Sequence, residues 1–114
     1  MSAHWNMLGI AVEIANLAKK NRNYYVGAVA RRKDGAIVGS PNGWPVLQNA
    51  WHHAEARLVR KLETTDTVYV ARLKKTGEKA LARPCEGCQI MLRSKKIEKV
   101  IYTISDKEYG VLYL

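Results

Sequence analysis

Leu8, Ala11, Val12, Ala15 and Ala18 recur at i, i+3, i+4, i+7 and i+10, the spacing of one face of an α-helix. Met7, Ile14 and Leu17 widen that stripe. A helix packed on a sheet is therefore predicted over about residues 3–20. Lys19 and Lys20 suit the negative end of its dipole, and Asn21 and Asn23 supply a stop. The period then changes. Residues 24–31 and 36–39 are short apolar runs on either side of Asp34-Gly35, a pattern that predicts a β-hairpin. Ser40-Pro41-Asn42-Gly43-Trp44-Pro45 has the composition of a loop. A second helix is predicted over about residues 52–62, a buried strand over 67–73 and a turn at Thr76-Gly77. A third helix starts at Pro84, a residue suited to a first helical position, and ends near Lys96. Strands over 97–104 and 109–114 complete the chain.

This order is helix, two strands, helix, strand, helix, two strands, which predicts an α/β domain with helices on both faces of one sheet. Only about six residues, 105–110, separate the last two strands. A parallel crossover needs roughly a dozen, so these strands should be antiparallel, unless the last one pairs elsewhere or with another subunit. With 114 residues and no repeat or linker, residues 1–114 are expected to form one domain around a single core.

Composition narrows the class. Hydrophobic residues make up 47% and there are three prolines, which argues for an ordered domain. The longest apolar runs fall short of the roughly 18 residues of a membrane span, and the N-terminus lacks a basic-then-apolar leader. A soluble, cytoplasmic protein with no membrane partner is the expectation. Lys and Arg number 19 against 10 Asp and Glu, a formal charge of +9. That balance favours anionic partners, a nucleotide phosphate or a nucleic-acid backbone. The basic residues are dispersed, however, so a solvated basic surface competes with both.

Two short motifs carry the chemistry: His53-Ala54-Glu55, and Pro84-Cys85-Glu86-Gly87-Cys88 about thirty residues later. Both cysteines of the chain stand three apart, which fits a reducing compartment. A redox pair or a chance pairing is one reading of that spacing. The preceding proline and the upstream His favour zinc instead, with His53, Cys85 and Cys88 as ligands. Three protein ligands leave tetrahedral zinc one open position, the arrangement of a catalytic rather than a structural site.

On these motifs, H-x-E with P-C-x-x-C, and independently on its element order, the chain resembles the cytidine deaminase superfamily over nearly all its length. The resemblance implies a three-layer α-β-α fold with a five-stranded mixed sheet whose last two strands are antiparallel. It implies one Zn2+ per chain and makes Glu55 the catalytic proton shuttle. It also implies that the Ala54 amide contacts the pyrimidine carbonyl. Val26-Gly27-Ala28, Asp34-Gly35 and Asn42 look like the matching run of nucleoside deaminases, in which the Asn holds the sugar; a turn role competes for Asn42.

The chain also departs from those relatives. Tyr24 replaces a Phe, Trp44 stands where they carry a ribose-binding Glu, and Gln89 follows the second cysteine in place of Arg. Tyr24 and Trp44 join Asn42 and Ala54 as candidate substrate contacts. Trp44 and Trp51 bracket the loop into the metal helix and either stack on a base or pack in a core or subunit interface. Residues 74–83 are expected to form a basic hairpin beside the site. His52 is read as a loop residue or a neighbour of the ligands. His4 and Glu86 are expected to face solvent.

The expected function is zinc-dependent hydrolytic deamination of a cytosine nucleoside or nucleotide to the uracil form, with release of ammonia, by a homo-oligomer (dimer or tetramer). The short final connection favours free nucleosides, because polynucleotide and tRNA relatives insert a helix there and run the strands parallel. A deaminase of single-stranded DNA or RNA is the alternative that the charge, hairpin and tryptophans favour. A non-catalytic zinc-stabilised binding module is a third reading, and Glu55 argues against it.

Overall fold

The computed structural model describes residues 3–16, 25–31, 36–41, 67–84, 86–94 and 96–114. Its elements in chain order are α1 (Ala3–Asn16), β1 (Tyr25–Arg31), β2 (Ile37–Pro41), β3 (Thr67–Leu73), β4 (Lys79–Ala80), α2 (Glu86–Ser94), β5 (Lys99–Thr103) and β6 (Tyr109–Tyr113). The strands form one mixed sheet in the order β2-β1-β3-β5-β6, with β4 paired to β3 beyond the end of β5. β3 and β5 are parallel, and every other pairing is antiparallel. The antiparallel β5–β6 pair, Lys99↔Tyr113 to Thr103↔Tyr109, is the one the short connection predicts.

The two sheet faces separate cleanly by residue parity. Tyr25 and Val29 of β1, with Ala71 and Leu73 of β3, pack against Met7, Ala11 and Ala15 of α1. Ala28 and Ala30, with Val68, Val70 and Val100, pack on the opposite face against Ala82, Leu92 and Ile97. Because both faces of the central strands are covered, β1 is buried almost continuously from Tyr25 to Ala30, as expected of an interior strand. Fully buried Leu8 and Leu92 each contribute roughly 1.5–3 kcal/mol by leaving water.

One contact sets how close α1 can lie. A Cβ on Gly27 would meet the Ala11 carbonyl oxygen and come within 2.5 Å of the Ala15 nitrogen. Only a glycine lets the helix backbone rest directly on β1 at this point.

β4 raises the count from the expected five strands to six. The β3–β4 connection is the basic hairpin expected over 74–83. Gly77 N–H donates to Lys74 O at 2.9 Å and Lys74 N–H to Glu78 O at 2.9 Å, with Gly77 at φ +94°. This is the three-residue hairpin whose last loop position is left-handed and therefore suits glycine. A two-residue strand has no periodicity to read; its place is set by residues remote in sequence. Thr103, buried at the end of β5, donates its hydroxyl to Ala80 O at 2.7 Å and accepts from the Arg72 amide at 3.2 Å. Lys79 N–H donates to Asp106 Oδ1 at 2.9 Å, and its ammonium lies 3.8 Å from the same oxygen.

Three other expectations shift. The third helix begins at Glu86, not Pro84, so Pro84 precedes the helix. It ends at Ser94 because Lys96 turns to φ 61°. Lys96 N–H then bonds Arg93 O at 2.9 Å and Ile97 N–H bonds Leu92 O at 3.1 Å, the two bonds of a Schellman cap. Ile97 therefore belongs to this cap and packs with Leu92, so the following strand starts at Lys99.

His4 does not face solvent freely. Its Nδ1 lies 3.2 Å from the Tyr69 hydroxyl, and its ring meets Tyr69 at 5.7 Å and Tyr109 edge-on at 5.6 Å. Trp5 meets Tyr109 edge-on at 5.3 Å. The β5–β6 pairing carries Tyr109 to the face that α1 covers, a contact between opposite ends of the chain.

Candidate metal and substrate site

Strand directions define the site end of the sheet. Tyr25 pairs with Leu73 and Pro41 with Gly27. The start of β1, the end of β2 and the end of β3 therefore lie together. α2 is the crossover between parallel β3 and β5, so it runs against them and its N-terminus points to this same end. Open α/β sheets place ligands at the carboxyl ends of their parallel strands.

α2 is seated from both sides of its N-terminus. Ala82 N–H donates to Thr103 O at 2.9 Å, holding the approach to the helix against β5. Pro84 is buried, and its carbonyl accepts from Gln89 Nε2 at 3.0 Å. Leu92 plugs the helix into the core. Glu86, in the first turn and exposed as expected, complements the positive end of the helix dipole.

Cys88 is the third residue of α2, and Cys85 immediately precedes the helix in sequence. The donor set expected from the sequence, two sulfurs and an imidazole, would suit zinc with one coordination position left over. His53, Ala54, Glu55, Asn42, Trp44, Tyr24 and Cys85 lie outside the described residues, as do His52, Trp51 and the helix expected over 52–62. Among the described residues there is no rival cluster of His, Cys, Asp and Glu that could hold a metal.

Gln89 is the residue whose part the sequence pattern did not disclose. It registers there only as a departure from Arg after the second cysteine. In the structure its side chain reaches back across the first turn to Pro84. The basic hairpin sits at the same sheet end. A shallow groove separates it from residues 104–108, lined by Lys74, Lys79 and Lys107 but equally by Glu78, Asp106 and Glu108.

Comparisons with known proteins agree with this architecture. Residues 1–104 match the family model described as the cytidine and deoxycytidylate deaminase zinc-binding region. The chain belongs to that family, within the cytidine deaminase superfamily. The fold is similar to the crystal structure of cytidine deaminase from Mycobacterium leprae, with a TM-score of 0.63 at 16% identity over 97% of this chain and 94% of that one. It is also similar to cytidine deaminase from Mycobacterium tuberculosis, with a TM-score of 0.57 at 22% identity over 90% and 85%. No curated protein matches the chain. No described helix is long and apolar enough to cross a membrane.

Proposed function

We propose that this protein is a zinc-dependent hydrolase that deaminates cytosine in a free nucleoside or nucleotide to uracil. Family membership supports deamination as the reaction class. The observation that carries the choice of a small substrate is the antiparallel β5–β6 pair closed by the short 104–108 loop. The resemblance associates that ending with free-nucleoside enzymes and a parallel, helix-linked ending with polynucleotide enzymes.

In this reading His53, Cys85 and Cys88 hold the metal. Zinc, when bound, supplies the Lewis acidity that makes water nucleophilic near neutral pH. The Glu55 carboxylate takes a proton from the attacking water and delivers it to the ring nitrogen beside the amino-bearing carbon. A C–O bond forms at that carbon, the C–N bond breaks, and Glu55 helps protonate the departing ammonia. A carboxylate suits this because it serves as base and then as acid within one turnover. The Ala54 amide holds the base carbonyl, Asn42 the sugar, and Tyr24 and Trp44 shape the pocket.

The polynucleotide reading draws on the basic hairpin, where Lys74 and Lys75 are exposed at the same sheet end as the α2 N-terminus. Against it, Lys79 is engaged by Asp106 and the adjoining groove balances its charges. Ammonia release from cytosine, cytidine, deoxycytidine, dCMP, adenosine, guanine and short oligonucleotides tests both. Turnover of a free cytosine nucleoside or nucleotide is expected, and Glu55→Gln should abolish it while zinc stays near one per chain. Activity on oligonucleotides alone, with binding that weakens steeply as salt rises, would sink the small-substrate reading.

A further inference from the structure

We infer that Gln89 is a positioning residue for the metal site, a clasp that holds the two thiols in register before metal arrives. The proposal rests on the reading of Cys85 and Cys88 as zinc ligands and goes beyond it. The observation is a single hydrogen bond in an informative place. Gln89 Nε2 donates to Pro84 O at 3.0 Å, and these two residues flank Cys85-Glu86-Gly87-Cys88 on either side. The bond therefore closes a ring around the whole segment that carries both cysteines. Pro84 is bonded through its carbonyl carbon to the Cys85 nitrogen, so this end of the clasp adjoins the first cysteine in sequence. Gln89 directly follows Cys88 on α2, so its end of the clasp moves with that ligand.

The segment needs such a restraint. Gly87 lies in the first turn of α2 between the two cysteines, and glycine gives up more backbone freedom on ordering than any other residue. A metal that had to order this turn would bind more weakly for doing so, as any ligand does when its site is not preorganised. Pro84 supplies one rigid end of the restraint, buried and with a fixed φ. Leu92, fully buried one turn further along α2, anchors the other. Gln89 joins the two. Groups that orient metal ligands from outside the coordination sphere typically change metal affinity by about 10–100-fold when removed, and an effect in that range is expected here.

The test is zinc affinity, measured by competition with a chelating dye at fixed pH on the full chain, with circular dichroism of the metal-free protein alongside. Gln89→Met keeps the side-chain length and removes the donor; zinc should bind at least about tenfold more weakly while the metal-free spectrum stays that of the parent. Should Gln89→Met not fold, Gln89→Glu replaces it. That variant loses the donor at neutral pH while adding a negative charge that by itself favours zinc, so a weaker affinity there isolates the hydrogen bond. Parental affinity in Gln89→Met overturns the clasp alone. Failure of the parent to bind zinc at all overturns the metal reading and the clasp together, and Cys88→Ser run in parallel tells the two failures apart.

Discussion

The Thr103 hydroxyl donates to the Ala80 carbonyl at 2.7 Å while accepting from the Arg72 amide at 3.2 Å. Arg72 and Ala80 stand opposite each other in the β3–β4 pair, so a side chain from β5 bridges a rung of that ladder. The bridge falls where β3 changes partner, from β5 through Val70 to β4 from Arg72. Thr103→Val preserves shape but removes the buried hydroxyl that both backbone groups meet. It should cost about 1–3 kcal/mol, read as a lower urea midpoint with an unchanged denaturant slope. Thr103→Ser, which keeps the hydroxyl, should lose less. Equal stability of the Val variant and the parent would show that the bridge carries no weight.

Two glycine substitutions should move stability in opposite directions. Gly27→Ala drives a Cβ into the backbone of α1, 2.5 Å from Ala15 N, and a helix backbone cannot swing aside as a side chain can. The overpacking cost is expected at about 1–3 kcal/mol. Gly9 lies within α1 with nothing within 4 Å of its added Cβ, so Gly9→Ala should gain about 1 kcal/mol from helix propensity. Thermal midpoints of the two variants against the parent check the signs. A Gly27→Ala midpoint at or above the parent's would mean that α1 is not held this closely to β1.

How legible the fold was depended on the range of the interactions that decide each element. β3 was read over its full length because its apolar run is buried on both faces, and the α1 stripe emerged as Met7, Leu8, Ala11 and Ala15. The orientation of β6 was legible from loop length alone. β4 was not, because Thr103 and Asp106 place it from more than twenty residues away. His4 was misread for the same reason: Tyr69 and Tyr109 reach it through the sheet. The end of α2 gave no signal, since a lysine occupies the left-handed position where glycine would have marked the stop. At the site, the motif located Cys88 at the start of a helix, where the structure also has it. Gln89 stood out only as an odd neighbour, because its role is a bond to Pro84 that no spacing encodes.

That left-handed lysine yields a prediction of its own. Lys96 sits at φ 61° in the Schellman cap, a conformation that brings an L side chain too close to the following carbonyl. Lys96 is exposed, so its side chain gives little packing to lose. Lys96→Gly should therefore stabilise the protein by about 0.5–1 kcal/mol, the relief of strain being partly offset by the greater freedom of glycine in the unfolded chain. A higher denaturant midpoint at unchanged slope is the expected readout; a lower one would show that the unfolded-state term dominates.

Metal binding should register in stability independently of turnover. A ligand that binds only the native state stabilises it by RT ln(1 + [L]/Kd), about 2.7 kcal/mol at a hundredfold excess over Kd. If His53, Cys85 and Cys88 hold zinc, the thermal midpoint of chelator-treated protein should climb as free zinc is restored. Cys88→Ser removes a ligand and should flatten that dependence. Glu55→Gln leaves all three ligands in place and should retain it while losing activity. The three melts thus assign separate roles: a flat response in the parent would remove the zinc reading, and a flat response in Glu55→Gln would make Glu55 a ligand instead of the proton carrier. In the proposed arrangement only the cysteine variant loses the response, because the carboxylate acts on water and substrate and contributes nothing to holding the metal.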